Sequence, residues 1–171
     1  MLTQNDSATN IVIALNGPMR FGKTWTQQQI TKYCTQKGIP SHSYSSGQTL
    51  YRSMLERLRF LPEETPPYVD FKNAQYNVML NGAWQKVQGR QLLVDDVETI
   101  RLRRPEWPMP LLWQNTLANF AEDETRIHII DCIGSSLEGD YLFDMSFDAQ
   151  ALNPHKLICA SINLGGERHG V

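Results

Sequence analysis

Three apolar runs stand out along the chain: Ile11-Val12-Ile13-Ala14-Leu15, Ile127-His128-Ile129-Ile130, interrupted by His128, and Leu157-Ile158-Cys159-Ala160. Runs of this length rich in apolar and β-branched residues predict strands covered on both faces, as in a parallel sheet. Between them the pattern changes to a helical one. From Thr24, the residues Trp25, Ile30, Tyr33 and Cys34 recur at helical spacing until Gly38 and Pro40 end the segment. Residues 41–45 predict a second, short strand. Leu50, Tyr51, Met54, Leu55, Leu58 and Leu61 trace the clearest amphipathic helix, closed by Pro62. Three prolines make 62–70 a loop. The pattern weakens over 71–106, where 76–80 reads as helical, Asn81-Gly82 as a turn and 91–94 as extended. Pro108 and Pro110 prepare a further helix with Trp113, Leu117 and Phe120 at i, i+4 and i+7. Strands alternating with helices predict an α/β fold with a mostly parallel sheet.

Composition adds exclusions. The 171 residues predict one domain, with residues 1–10 a flexible tail and 11–171 a single domain carrying an insert at 62–107. Hydrophobic residues are 41% and charged residues 20% of the chain, an ordinary globular balance that excludes a disordered or fibrous polymer. With 16 basic and 18 acidic residues the net charge is −2, so no general attraction to anionic polymers or lipids is expected. The Arg101, Arg103 and Arg104 group stands without a wider basic stripe, which makes nucleic acid an unexpected partner. No apolar run approaches the roughly 20 residues of a membrane span, and the polar N-terminus lacks the basic start of a signal peptide. A cytoplasmic protein with no membrane partner is the expectation. Cys34, Cys132 and Cys159 form no paired motif and read as reduced, buried thiols. The four histidines are scattered and read as core or surface residues, and Trp84, Trp107 and Trp113, which could stack on a base, read chiefly as packing residues.

One stretch carries chemistry. Gly17-Pro18-Met19-Arg20-Phe21-Gly22-Lys23-Thr24 satisfies G-x-x-x-x-G-K-[ST] at every fixed position. It follows a buried-strand run and precedes a helix, the context the motif requires. Its glycines allow successive N–H groups to turn inward around a phosphate, and the helix start adds its positive dipole end. Lys23 can reach β- and γ-phosphates, and the Thr24 hydroxyl can ligate Mg²⁺. Phe21, Arg20 and Trp25 flank the same turn. Asp131 ends a strand run, where a carboxylate can hold Mg²⁺, although strand-end acids often serve only as caps; Asp95 and Asp96 are rivals in a poorer context. A motor-type ATPase often has Glu after that Asp, and here the position is Cys132. A sugar kinase would benefit from an acid near residues 43–47, and none is present. Transfer to a phosphate oxygen needs no base, only cations to hold two anions together.

These residues resemble the nucleoside monophosphate kinase group of P-loop kinases, most closely the phage-type deoxynucleoside monophosphate kinases. Residues 13–24 are similar to the family's first strand and phosphate loop, 43–55 to its second strand and following helix with a basic residue near Arg52, and 127–131 to its later strand ending in Asp. The resemblance implies a three-layer α/β/α P-loop fold and transfer of the γ-phosphate of ATP to a nucleoside or deoxynucleoside monophosphate. It also implies Mg²⁺, a possible homodimer and, for a phage-encoded chain, residence in the host cytoplasm. It assigns catalysis to Lys23, Asp131, Arg52 and Arg104, nucleotide binding to Gly17, Arg20, Phe21, Gly22, Lys23, Thr24 and Trp25, and the metal to Thr24 and Asp131. The family often carries Asp-x-Arg at the later strand's end, whereas this chain reads Asp131-Cys132-Ile133. That departure leaves a second reading open, a nucleotide-binding module without phosphotransfer.

Overall fold

A computed structural model of the chain describes residues 9–17, 21–60, 65–121, 123–133, 141, 142, 144, 145 and 156–164. The chain forms two compact units, one from residues 1–46 and 109–171, the other from 47–108. The second unit contains the expected insert and begins well before it.

In the first unit, β1 (Thr9–Asn16), β2 (Ser41–Ser45), β5 (Arg126–Ile133) and β6 (Lys156–Asn163) form one parallel sheet in the order β2-β5-β1-β6. The three apolar runs supply its two central strands and one edge. The first strand starts at Thr9, and Asn10, expected in a tail, is buried. Helix α1 (Lys23–Lys37) links β1 to β2 and lies against β5, β2 and β1. Because β1 connects toward one edge and β5 toward the other, right-handed crossovers place their helical segments on opposite faces. On the face away from α1, Val12, Ala14, Ile130 and Leu157 pack with Met109, Leu112 and Trp113 of α5 (Met109–Leu117) and with Leu142. The fold is therefore α/β with a mostly parallel central sheet covered on both faces, compatible with a three-layer α/β/α arrangement.

A polar chain crosses that apolar face. His128 is fully buried; its Nδ1 lies 3.0 Å from the Tyr44 hydroxyl and its Nε2 3.1 Å from Asn10 Oδ1. Asn10 also exchanges two bonds with the backbone of Ala121, at 2.9 and 3.0 Å. A neutral imidazole with its proton on Nε2 satisfies the set: it donates to Asn10 and accepts from Tyr44. Burial pushes the Tyr44 phenol up to about 12, so it remains a donor.

The second unit departs further from its expectations. Helix α2 (Ser46–Leu58) begins directly after β2. Part of the expected loop is helix α3 (Tyr68–Asn73), the stretch expected as helical is β3 (Gln75–Leu80), and the stretch expected as extended lies in α4 (Gly89–Arg101). β3 pairs antiparallel with β4 (Ala83–Gln88) around Asn81-Gly82, both at positive φ, the backbone of a two-residue hairpin turn. Tyr51, Phe71 and Tyr76 stack in series, with centroids 4.5 and 5.0 Å apart, beside Met54 and Leu93. Trp84, by contrast, is 70% exposed on the hairpin, opposite Met79.

Gly89 holds this unit's α4 to α3. A Cβ at Gly89 would stand 2.1 Å from the backbone oxygen of Phe71, which cannot rotate away as a side chain can. Gly89→Ala is expected to destabilise the protein by about 2 kcal/mol, within the range for forced overpacking, measured by urea denaturation.

Candidate functional site

The carboxyl ends of β1 and β5 carry the site. These neighbouring parallel strands send their connections to opposite edges of the sheet, and in open α/β sheets such a divergence leaves a crevice where ligands bind. β1 ends at Asn16, and Gly17 follows at φ 143°; the turn re-enters helix through Gly22 at φ 83°. An added Cβ at Gly22 would meet nothing within 4 Å, so glycine is required there by backbone conformation, not by space. No side chain caps the start of α1 and no acid lies in its first turn. An uncapped helix start in an acid-free turn favours an anion.

Lys23, the first residue of α1, is half-buried and its ammonium donates to the Gly17 carbonyl, closing the turn across its mouth. Asp131 sits near the carboxyl end of the adjacent strand, which runs on to Ile133, in register with Leu15 of β1 and Ser45 of β2. Its Oδ1 accepts the backbone N–H of Ser46 at 2.9 Å. Burial raises the Asp131 carboxyl above its ordinary range, and the Ser46 N–H and the nearby Lys23 charge pull it back. The strand-end acid thus has two partners at once: the residue at which α2 begins, and the motif lysine.

Of the residues expected at a site, the structure brings Lys23, Thr24, Gly17, Gly22 and Asp131 to this end of the sheet. Phe21 and Trp25 border the turn with exposed rings. Pro18, Met19 and Arg20 lie outside the described residues. Arg52 on α2 and Arg104, just beyond α4, are exposed residues of the second unit, and Arg101 donates to the Trp107 carbonyl at 2.7 Å. Asp96 is held by Arg57 and Asp95 by Gln91, so those two acids have local structural partners. The Ser46 N–H on Asp131 was invisible to sequence reasoning, because a backbone donor leaves no residue-type signal.

Thr24 and Asp131 offer a hydroxyl and a carboxylate, the hard oxygen donors that Mg²⁺ takes. Among the described residues no group of three or more His, Cys, Asp or Glu could enclose a metal. That fits an ion which draws most of its ligands from phosphate oxygens and water. No helix among the described residues is long and apolar enough to cross a membrane. No protein-family model, no curated protein and no solved structure matches the chain.

Proposed function

We propose that this protein is an ATP-dependent phosphotransferase of the P-loop type, moving the γ-phosphate of ATP to a nucleoside or deoxynucleoside monophosphate. The observation that carries the reading is the convergence of Lys23 and Asp131 at a glycine-hinged, uncapped helix start on the carboxyl ends of adjacent parallel strands. Backbone N–H groups of the turn and Lys23 bind and orient the donor phosphates. Thr24 and Asp131 hold Mg²⁺, which when bound neutralises phosphate charge. In this reading Lys23 exchanges the Gly17 carbonyl for a phosphate oxygen, so the resting contact keeps its ammonium at the mouth of the turn. Arg52 and Arg104 are the cations that the family resemblance assigns to the acceptor and to closure over it. An ionised acceptor phosphate attacks without a general base, so positioning and charge supply the rate.

A coupled assay tests this directly: ADP formation should require both Mg²⁺ and an added monophosphate, and one or a few members of a panel of ribo- and deoxyribonucleotides should support it. No product with any member would overturn the proposal. Binding of ATP without turnover would instead favour the module reading, which the Asp131-Cys132-Ile133 sequence motivates.

Asp131 separates structural from metal roles. Asp131→Asn keeps an oxygen acceptor for the Ser46 N–H but removes a charge that burial disfavours. The melting temperature at pH 7 should hold or rise, while turnover at fixed Mg²⁺ falls about 10- to 100-fold, partly recovered at high Mg²⁺. A Mg²⁺ titration of the initial rate checks both halves.

A further inference from the structure

The overall charge hides a local asymmetry. No acidic residue occurs from Ser7 to Leu55, whereas Arg20, Lys23, Lys32, Lys37 and Arg52 all fall in that stretch. Helix α1 lies wholly inside it, and its inner face is Lys23, Thr26, Gln27, Ile30, Thr31 and Cys34, of which only Cys34 is fully buried. Its outer face presents Trp25, Gln28, Gln29, Lys32, Tyr33 and Gln36 to solvent. The expected helical spacing of Trp25 and Tyr33 is present, and their rings are open to solvent: Trp25 is 65% and Tyr33 56% exposed, and Phe21 just before the helix is 54% exposed. Scattered apolar residues on a surface need no explanation, but aromatic residues aligned on one face of a cationic helix do.

We propose that the outer face of α1 is a docking strip for single-stranded nucleic acid, with Trp25 and Tyr33 as base-stacking platforms and Lys32 and Lys37 as phosphate contacts. Stacking rings alternating with cations is the chemistry by which unpaired strands are held without sequence preference. Trp25, Gln29, Tyr33 and Lys37 follow at successive steps of four, along one slowly winding row of α1. Trp25 and Tyr33 lie about 12 Å apart along the axis, room for a few nucleotides. The Lys37 ammonium lies over one face of the Tyr33 ring, 5.9 Å from its centre, which leaves the opposite face for a base and puts a cation within reach of its phosphate. Gln28, Gln29 and Gln36 can each donate to and accept from base edges. Beside the strip, an open cavity of about 500 Å³ is bordered by Gln27, Gln28, Thr31, Lys32, Thr35 and Ser43 and reaches Thr24 at the phosphate turn, large enough for one nucleotide unit to leave the row. A lipid surface fits less well, because the face has no aliphatic side chains to enter a bilayer.

The strip adjoins the phosphate turn at Thr24 and Trp25 but does not require phosphotransfer, and its test uses the full chain with fluorescein-labelled oligodeoxythymidylate of about 20 nucleotides, followed by anisotropy. Two phosphate contacts predict a Kd that rises about tenfold between roughly 50 and 300 mM NaCl. Trp25→Ala and Tyr33→Ala should each weaken binding about tenfold, Trp25→Phe should keep it within about threefold, and Lys32→Glu with Lys37→Glu should abolish it. All four positions are exposed, so unchanged melting curves show that the variants fold. Absence of binding at low salt would overturn the proposal, as would variants that leave Kd unchanged. An oligonucleotide displaced by excess ATP would lie on the Gly22–Thr24 turn instead, and binding to phosphatidylserine vesicles but not to the oligonucleotide would mean a membrane face; either result overturns it.

Discussion

Lys23→Ala should lower phosphotransfer by about 10³-fold while leaving the fold intact. The magnitude follows from removing a preorganised cation aimed at charge that develops on the transferring phosphoryl group, an interaction worth about 10²- to 10³-fold or more in comparable sites. The ammonium donates to the Gly17 carbonyl, and its charge lies near Asp131 on the adjacent strand. Lys23 is not part of the apolar core between the sheet and α5, so its truncation should leave that core in place. Nucleotide affinity should fall less than turnover, about 10- to 100-fold, because the backbone N–H groups of the turn remain. Steady-state kinetics beside an ATP titration of thermal stability separate these two losses. A turnover unchanged in this variant would mean that the motif lysine does no chemistry.

Acidification should destabilise the protein through His128. Burial, together with the charges of His42 and Arg126, holds this imidazole down at about 4, against about 6.5 in an unfolded chain. The unfolded chain therefore takes up a proton below about 6.5, while the fold declines one until near 4. The stability contributed by neutral His128 is complete above pH 6.5 and drains away as pH falls toward 4, by up to about 3 kcal/mol. Protonation would also turn Nδ1 into a donor facing the Tyr44 hydroxyl, whose own proton must then turn away. Asp131 works in the opposite direction: its raised carboxyl lets the fold bind a proton before the unfolded chain does. The net slope is thus the His128 loss reduced by a smaller Asp131 gain. Urea unfolding at stepped pH should show stability falling between pH 6.5 and 4, and His128→Gln, which keeps polar contacts but does not titrate, should flatten the curve at a lower plateau.

The parallel sheet was legible because its central strands are covered on both faces, and only unbroken apolar runs such as Ile11 to Leu15 suit that environment. The glycine-lysine turn was legible for a similar reason: positive φ at Gly17 and Gly22 demands a residue type that can be read directly. Helix α1 was legible as a helix, but not which face it turns inward. Its less exposed residues are Lys23, Thr26, Gln27, Ile30, Thr31 and Cys34, and Trp25 and Tyr33 lie outside. The stretch from 75 to 101 was misread where two periods compete. Tyr76, Val78 and Leu80 alternate before Asn81-Gly82, a hairpin signal, while Leu92-Leu93-Val94 in α4 is a short apolar run that periodicity alone does not separate from a strand. His128 was invisible because its role depends on Asn10 and Tyr44, 118 and 84 residues away.

The claim at the centre is that the Lys23–Asp131 site transfers a phosphoryl group to a nucleotide, and the fate of labelled phosphate tests it most directly. With γ-labelled ATP, Mg²⁺ and the nucleoside monophosphate panel, the label should appear in a nucleoside diphosphate, and Lys23→Ala should suppress that product. Label that stays in ATP, or appears only as inorganic phosphate with every monophosphate supplied, would contradict the account.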